Sequence, residues 1–148
     1  MSKEKRIYFY ASSDVHSHIV VPEGAPYGLA RIASFLAHQR EMGKSMVVVD
    51  NGDYIQGTPL ASFMALRAKP PTPKPLIEAL NLAGYDYFNL GNHEFNFGQD
   101  YLKEAINLFK GKVLCANCVD DKGEVALGQP YDIIEKDGIK IGLIGLIT

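Results

Sequence analysis

Residues 46–49 read MVVV, a run without a single polar side chain. Successive side chains of a strand point to opposite faces of its sheet, so a strand with one face in water alternates polar and apolar residues. A run as uniformly apolar as this one suits a sheet that is covered on both faces, as the parallel sheets of α/β proteins are. We therefore expect a largely parallel sheet with other elements packed on each side.

The other predicted elements alternate between strand and helix along the chain. They rest on β-rich apolar runs and on apolar residues at helical spacing. Strands are predicted at residues 6–12, 46–49, 85–90 and 112–116, and helices at residues 28–41, 60–66, 76–83 and 98–109. Residues 131–135 and 139–147 are predicted to form a hairpin that turns at Asp137 and Gly138. This alternation predicts the α/β fold class.

No linker divides the chain, so residues 1–148 are predicted to belong to one domain. The stretch AKPPTPKP at residues 68–75 is rich in proline but too short for a domain linker. Proline breaks helix interiors and central strands, so we expect a stiff surface loop there. A chain of 148 residues with 47% hydrophobic residues can bury the core of one domain without further support.

The net charge of the chain argues against one class of partner, nucleic-acid polymers. Its formal net charge is −2, whereas proteins that bind DNA or RNA usually carry a basic stripe. We therefore expect no nucleic-acid polymer as partner. A small phosphorylated substrate is compatible with this charge, because a few local cations or metal ions suffice to bind it.

The N-terminal residues of the sequence as it stands do not predict a signal peptide or a membrane anchor. The apolar stretch at residues 7–11 is shorter than the apolar region of a signal peptide, and a membrane-spanning helix needs about 20 apolar residues. We expect no membrane partner and a cytoplasmic protein as the sequence stands, or an exported one if a native signal was removed. The sequence stops at IGLIGLIT without a closing helix, which predicts a truncated domain with an open edge for self-association.

Polar side chains follow three of the predicted strands directly. Asp14 and His16 follow the first strand, Asp53 the second, and Asn92 and His93 the third. Ligands of open α/β sheets bind outside the carboxyl ends of the strands, where these side chains would meet. Carboxylate, imidazole and amide donors without thiolate suit Mn²⁺, Zn²⁺ or Fe. Each motif alone is most often a solvated loop, a turn or a helix cap, but three at successive strand ends favour a metal site.

The motifs that carry these residues resemble a known family. SDVHSH, DNGDYIQGTPLASF, YFNLGNHEFNFG and ANCVDDKG, read in that order, are similar to the calcineurin-like metallophosphoesterases. Within that family they resemble the 5′-nucleotidase branch, and most of all its 2′,3′-cyclic-nucleotide 2′-phosphodiesterase/3′-nucleotidase type. The resemblance implies the N-terminal half of a four-layer α/β/β/α sandwich and an enzyme that hydrolyses nucleotide phosphoesters with two divalent metal ions.

The resemblance also implies a role for each candidate residue. Asp14 and His16 would bind the first metal ion, Asp53 would bridge both ions, and Asn92 would bind the second. His93 would lie just outside the ions and stabilise the phosphoryl transition state or assist the leaving oxygen. By contrast, residues such as Asp50 and Glu94, which stand beside these positions, are expected mainly to shape their turns, with support of a ligand as the alternative.

Two features depart from the family pattern. The family completes its metal site with a later histidine and a G-H-x-H segment, but none of the four histidines of this chain follows His93. We therefore expect a partial catalytic domain that by itself binds at most one ion weakly and hydrolyses little; the alternative is a non-catalytic module. Second, Asn96 stands where the 5′-nucleotidases proper usually have an aspartate that orients the catalytic histidine. An amide can still orient His93, but it cannot compensate imidazolium charge as a carboxylate does.

Overall fold

A computed structural model of the chain describes residues 4–148. Its central layer is a parallel sheet of four strands in the order β1-β2-β3-β4. The strands are β1 (Tyr8–Ser12), β2 (Met46–Asp50), β3 (Tyr87–Asn89) and β4 (Lys112–Leu114). Every crossover between neighbouring strands contains at least one helix, which is how parallel strands are normally joined. The predicted α/β fold with a parallel sheet is confirmed.

The helices cover one face of this sheet. They are α1 (Leu29–Glu41), α2 (Pro59–Leu66), α3 (Lys74–Ala83) and α4 (Gln99–Leu108). Their buried side chains, such as Leu36, Leu80 and Leu102, pack in one cluster with Val48 and Phe88 of the sheet. Among the described residues, no helix has the length and apolar character needed to cross a bilayer.

A two-stranded antiparallel hairpin covers part of the other face. It consists of β5 (Tyr131–Lys136) and β6 (Ile139–Ile144). Ile134 and Leu143 of the hairpin pack on a second cluster that contains Val47 and Tyr87. The alternate side chains of the MVVV run thus face helices on one side and the hairpin on the other, so this strand is covered on both faces as its sequence predicts. Helices, sheet and hairpin form successive α, β and β layers.

The structure corrects the predicted start of the third helix. Residues 68–75 are predicted to be loop throughout, but α3 already begins at Lys74 and takes Pro75 into its first turn. Proline fits there because the first N–H groups of a helix have no partner within it, so the missing N–H of proline is not a loss. At its other end α3 stops at Gly84, which has the left-handed conformation typical of this position.

The third strand is shorter than its sequence predicts. The apolar pattern spans residues 85–90, but strand pairing covers only Tyr87–Asn89. At the start, the side-chain carboxylate of Asp86 accepts the Val48 N–H (2.8 Å), while the Asp86 N–H donates to the Val48 carbonyl (2.9 Å). A side chain thus takes the place of a backbone acceptor in the ladder. Hydrophobic periodicity cannot reveal this exchange, because Tyr85 is buried whether or not it is paired.

Substitutions on α3 test the assignment of its buried face. Leu80 is fully buried, whereas Leu82 on the same helix is 89% exposed. We expect Leu80→Ala to lower the free energy of unfolding by about 2–5 kcal/mol, because it removes buried methyl groups and leaves a cavity. Leu82→Ala should change it by less than about 0.5 kcal/mol. Urea denaturation measures both, and equal losses would contradict the orientation of the helix.

Candidate metal and active site

Three loops meet at one edge of the sheet, because β1, β2 and β3 are parallel neighbours whose carboxyl ends lie side by side. The loops are residues 13–17, 51–57 and 90–95. Two backbone hydrogen bonds join the first two loops: the Asp14 N–H donates to the Gly52 carbonyl (3.0 Å), and the His16 N–H donates to the Asp53 carbonyl (2.9 Å). The loops therefore form one connected unit, at the sheet edge where ligands of open α/β folds bind.

The backbone of these loops adopts conformations that residues with a Cβ normally avoid. Of the five non-glycine residues with positive φ in the described chain, four lie here. They are Asp14 (57°), His16 (48°), Ser17 (57°) and Asp53 (58°). Such residues cost roughly 1–3 kcal/mol each and persist only where their surroundings enforce them. At Ser17 the enforcement is visible, since its buried hydroxyl donates to the Tyr54 carbonyl (2.7 Å).

His16, Asp53 and His93 form the centre of the site. One ligand atom from each lies within 4.8 Å of the others, and all three residues are half-buried. The two imidazole rings meet edge to face with their centroids 5.2 Å apart. The backbone N–H of His93 donates to Oδ1 of Asp53 (2.8 Å), so the position of the carboxylate is tied to the third loop. The His16 imidazole and the Asp53 carboxylate are donor types that suit a divalent metal ion, and the His93 ring lies beside them.

The hydrogen bond of His16 determines which ring nitrogen can bind a metal. Nδ1 of His16 lies 2.9 Å from the Gln56 carbonyl. A carbonyl only accepts hydrogen bonds, so Nδ1 carries the ring proton and Nε2 keeps its lone pair. A carbonyl behind one nitrogen commonly orients metal-binding histidines in proteins. His16 is thus prepared to bind a cation through Nε2.

Asp14 and Asn92 lie at the border of this cluster. Oδ1 of Asp14 is 3.9 Å from Nε2 of His16, and the Asp14 side chain is 61% exposed. Asn92 is exposed at the start of the short 3₁₀ helix Asn92–Phe95. The structure therefore brings His16, Asp53 and His93 within ligand distance of one another and leaves the other two predicted ligands more open to solvent.

Asn96 fixes the orientation of the His93 ring. The Nδ2 atom of its amide lies 3.0 Å from Nδ1 of His93. An NH₂ group only donates, so Nδ1 of His93 accepts and the ring proton lies on Nε2. His93 and His16 thus have opposite arrangements: Nε2 of His93 is a donor, whereas Nε2 of His16 is an acceptor.

Glu94 has a larger role than its sequence context indicates. It is fully buried, and its carboxylate accepts four backbone N–H groups. Oε2 accepts from Asp53 and Gly91 (both 2.7 Å), and Oε1 accepts from Tyr54 (2.6 Å) and Ile55 (3.2 Å). Burial raises the pKa of Glu94, and the four donors oppose this rise because they favour the charged form.

A sequence signal for Glu94 exists but is local. Glutamate at the third position of a helical turn often reaches back to the N–H of the residue that caps the turn, which here is Gly91. That rule accounts for one of the four hydrogen bonds. The other three donors lie about 40 residues earlier in the chain, in the loop after β2, and no local pattern predicts them.

Asp50 is a second buried acid beneath the loops. It is fully buried, accepts from the Ser12 hydroxyl (2.5 Å) and the Gly52 N–H (3.1 Å), and its partner Ser12 contacts the Tyr85 hydroxyl (2.8 Å). Burial raises the pKa of Asp50 to about 7, against the opposing effect of these donors. The sequence-based expectation that Asp50 and Glu94 shape their turns agrees with these contacts.

Two glycines permit the close approach of the loops. A Cβ on Gly57 would lie 2.6 Å from Cβ of His16, and one on Gly91 would lie 2.6 Å from the backbone nitrogen of Asp53. Gly57 also has a φ of 131°, which favours glycine. Both positions therefore require glycine if His16 and Asp53 are to occupy their observed places.

Comparisons with known proteins relate this chain to one family. The sequence profile of the calcineurin-like phosphoesterase family matches residues 7–144. A 2′,3′-cyclic-nucleotide 2′-phosphodiesterase/3′-nucleotidase of Salmonella typhimurium is 43% identical in an alignment of 131 positions that covers 82% of this chain and 20% of that protein. The protein of the same name from Yersinia enterocolitica is 40% identical, over 80% of this chain and 20% of its own length. This chain thus spans about a fifth of these two relatives.

A solved structure has the same fold. The calcineurin-like phosphoesterase YfkN from Bacillus subtilis superimposes with a TM-score of 0.78 and 32% sequence identity. The superposition covers 94% of this chain and 47% of that one. The layers described above are therefore those of a known fold across almost the whole of this chain.

The raised pKa of Asp50 predicts a pH-dependent stability. The folded protein holds a proton at Asp50 up to about pH 7, whereas the unfolded chain releases it near the ordinary value of 3.8. The stabilisation that the folded protein gains by holding this proton is present in full below pH 3.8, and it is lost as the pH rises through about 7. We expect Asp50→Asn to flatten the fall in stability between these limits. Urea denaturation at several pH values tests this, and a variant with the same slope as wild type would contradict it.

Proposed function

The chain belongs to the calcineurin-like phosphoesterase family, and we propose that it supplies metal ligands and a catalytic histidine for the hydrolysis of nucleotide phosphoesters in the complete protein. The observation that carries this proposal is the convergence of His16, Asp53 and His93 within 4.8 Å at one sheet edge. The backbone hydrogen bonds between the loops support it, because they join the segments that carry these side chains.

We assign the metal-binding roles residue by residue. Asp14 and His16 would bind one divalent ion, Asp53 would bridge two ions, and Asn92 would bind the second. Such ions lower the pKa of a bound water and neutralise charge on the phosphoryl oxygens. The donors are oxygen and nitrogen only, which suits Mn²⁺, Zn²⁺ or Fe. The free Nε2 of His16 and the tie between Asp53 and the His93 N–H support these assignments.

His93 acts as a donor to the phosphoryl group in this proposal. Because Asn96 donates to Nδ1, the proton of the neutral ring lies on Nε2. That N–H can donate to a phosphoryl oxygen or to the leaving oxygen as negative charge develops there. Asn96 orients the ring through a neutral amide and so adds no negative charge behind it. His93 is thus a hydrogen-bond donor in this proposal rather than a further metal ligand.

The substrate class rests on the relatives. The two proteins from Salmonella and Yersinia carry the name 2′,3′-cyclic-nucleotide 2′-phosphodiesterase/3′-nucleotidase. We propose the same class of substrate here: a small nucleotide with a cyclic phosphodiester or a terminal phosphate, rather than a nucleic-acid polymer. The net charge of −2 supports this choice, because proteins that bind a nucleic-acid polymer usually carry a basic stripe.

Substitution of His93 tests the catalytic assignment. In the complete protein with Mn²⁺, His93→Ala should lower kcat for 2′,3′-cyclic AMP by about 10²–10³-fold, because a donor to the developing charge is lost. His38→Ala is the matched control, since His38 is exposed on α1 and should leave kcat unchanged. Hydrolysis by the complete protein that persists unchanged after the metal is removed with a chelator would refute the proposed function.

A second candidate function has support in the hairpin. Its outer face exposes three large apolar side chains, Tyr131 (59%), Ile133 (63%) and Ile144 (66%). Tyr131 and Ile144 are direct partners in the ladder and so share a face. The alternative proposal is that this chain is a non-catalytic module that self-associates through this hairpin.

Sedimentation of this chain tests the alternative. Self-association through the hairpin predicts a sedimentation coefficient that rises with concentration, and Ile133→Glu should suppress the rise because it places a charge in the contact. Leu82→Glu is the control, since Leu82 is exposed on α3 of the helical layer. A chain that remains monomeric at every concentration would remove this candidate.

A further inference from the structure

We propose that Glu94 is a positioning residue of the metal centre: its carboxylate holds the Asp53 loop against the His93 loop and so fixes the place of the Asp53 side chain. This inference rests on the proposed function, because it concerns the ligand that would bridge the metal ions. Glu94 is fully buried and its hydrogen bonds go to backbone N–H groups, so it acts through Asp53 and not on a substrate.

The contacts of Glu94 span the two loops. Three of its four donors, the N–H groups of Asp53, Tyr54 and Ile55, are consecutive in the loop after β2. The fourth, the N–H of Gly91, belongs to the loop after β3. A single carboxylate therefore holds the backbone of the bridging ligand and the backbone that leads to His93.

The hydrogen bonds offset two costs. Asp53 has a φ of 58°, a left-handed conformation that an isolated loop would not hold. A buried carboxylate without donors would be strongly unfavourable. The left-handed turn at Asp53 presents successive N–H groups to one point, and the Glu94 carboxylate accepts them there. These hydrogen bonds therefore stabilise both the turn and the buried carboxylate.

The geometry beyond Asp53 links this arrangement to the ligand. Oδ1 of Asp53 accepts the His93 N–H at 2.8 Å, and a Cβ on Gly91 would collide with the same aspartate. The Asp53 carboxylate is thus closely approached by Gly91, and one backbone donor holds it in position. If the Asp53 loop relaxes, the His93 N–H loses its acceptor.

This dependence gives a readout that requires neither metal nor activity. In the metal-free chain, hydrogen exchange followed by NMR should find the His93 amide protected in the wild type. In Glu94→Gln, which keeps the size but places an NH₂ group against backbone donors, we expect the His93 amide to exchange at least about tenfold faster. Calorimetric titration with Mn²⁺ should find an affinity about 10–100-fold weaker, as for other residues that orient metal ligands.

Tyr54→Phe is the matched control. It removes a buried hydrogen bond from the Tyr54 hydroxyl to the Leu76 carbonyl (2.7 Å), in the same loop, but keeps every bond to Glu94. It should destabilise the fold and leave the His93 amide and the Mn²⁺ affinity within about threefold of the wild type. Equal effects of the two variants on both readouts would mean that Glu94 contributes only to overall stability, and the inference would be wrong.

Two further outcomes keep the inference separate from the proposed function. If the wild-type chain binds no Mn²⁺, the exchange of the His93 amide still decides whether Glu94 positions Asp53, while the metal assignment itself is called into question. If Glu94→Gln does not fold, the wild type decides: one carboxylate holds the N–H groups of Asp53, Tyr54, Ile55 and Gly91, so they should exchange together. Independent exchange at the rates of exposed loops would overturn the inference.

Discussion

The carboxylate of Glu94, buried beneath two loops and bonded to four backbone N–H groups, is the interaction on which the geometry of the site depends. The loops that it joins carry Asp53 and His93, and the hydrogen bond between the His93 N–H and Asp53 completes the connection. A charged group can remain in such a place only when donors surround it, and here the backbone of the site provides all of them.

The sheet that carries these loops is itself held rigidly by packing. The MVVV strand is packed on both faces: Val48 contacts the helices and Val47 contacts the hairpin. The strand end at Asp50 therefore has little freedom to move. Asp50 is itself buried and bonded to Ser12 and Gly52, which ties the ends of β1 and β2 together. The free energy gained by apolar burial in the core thus supports strained backbone at the edge, a common arrangement in functional sites.

The two histidines of the site illustrate how neighbouring groups divide chemical roles between identical side chains. A carbonyl behind His16 leaves its Nε2 free to accept a cation, whereas an amide NH₂ behind His93 leaves its Nε2 protonated. The ring centroids lie only 5.2 Å apart, yet Nε2 is an acceptor in one ring and a donor in the other. The difference arises entirely from the hydrogen-bond partner of the other ring nitrogen.

The sequence by itself determined the alternation of strands and helices, the parallel sheet and the strand ends at which Asp14, His16, Asp53, Asn92 and His93 stand, because these follow from local periodicity and chain order. It could not show that β3 is shortened by Asp86, that α3 begins within the proline-rich stretch, or that His16, Asp53 and His93 come closest together. Nor could it identify Glu94 as the residue that joins two loops. Apart from the start of α3, these features depend on contacts between segments about 40 residues apart, and only the tertiary structure decides which buried donors and acceptors meet.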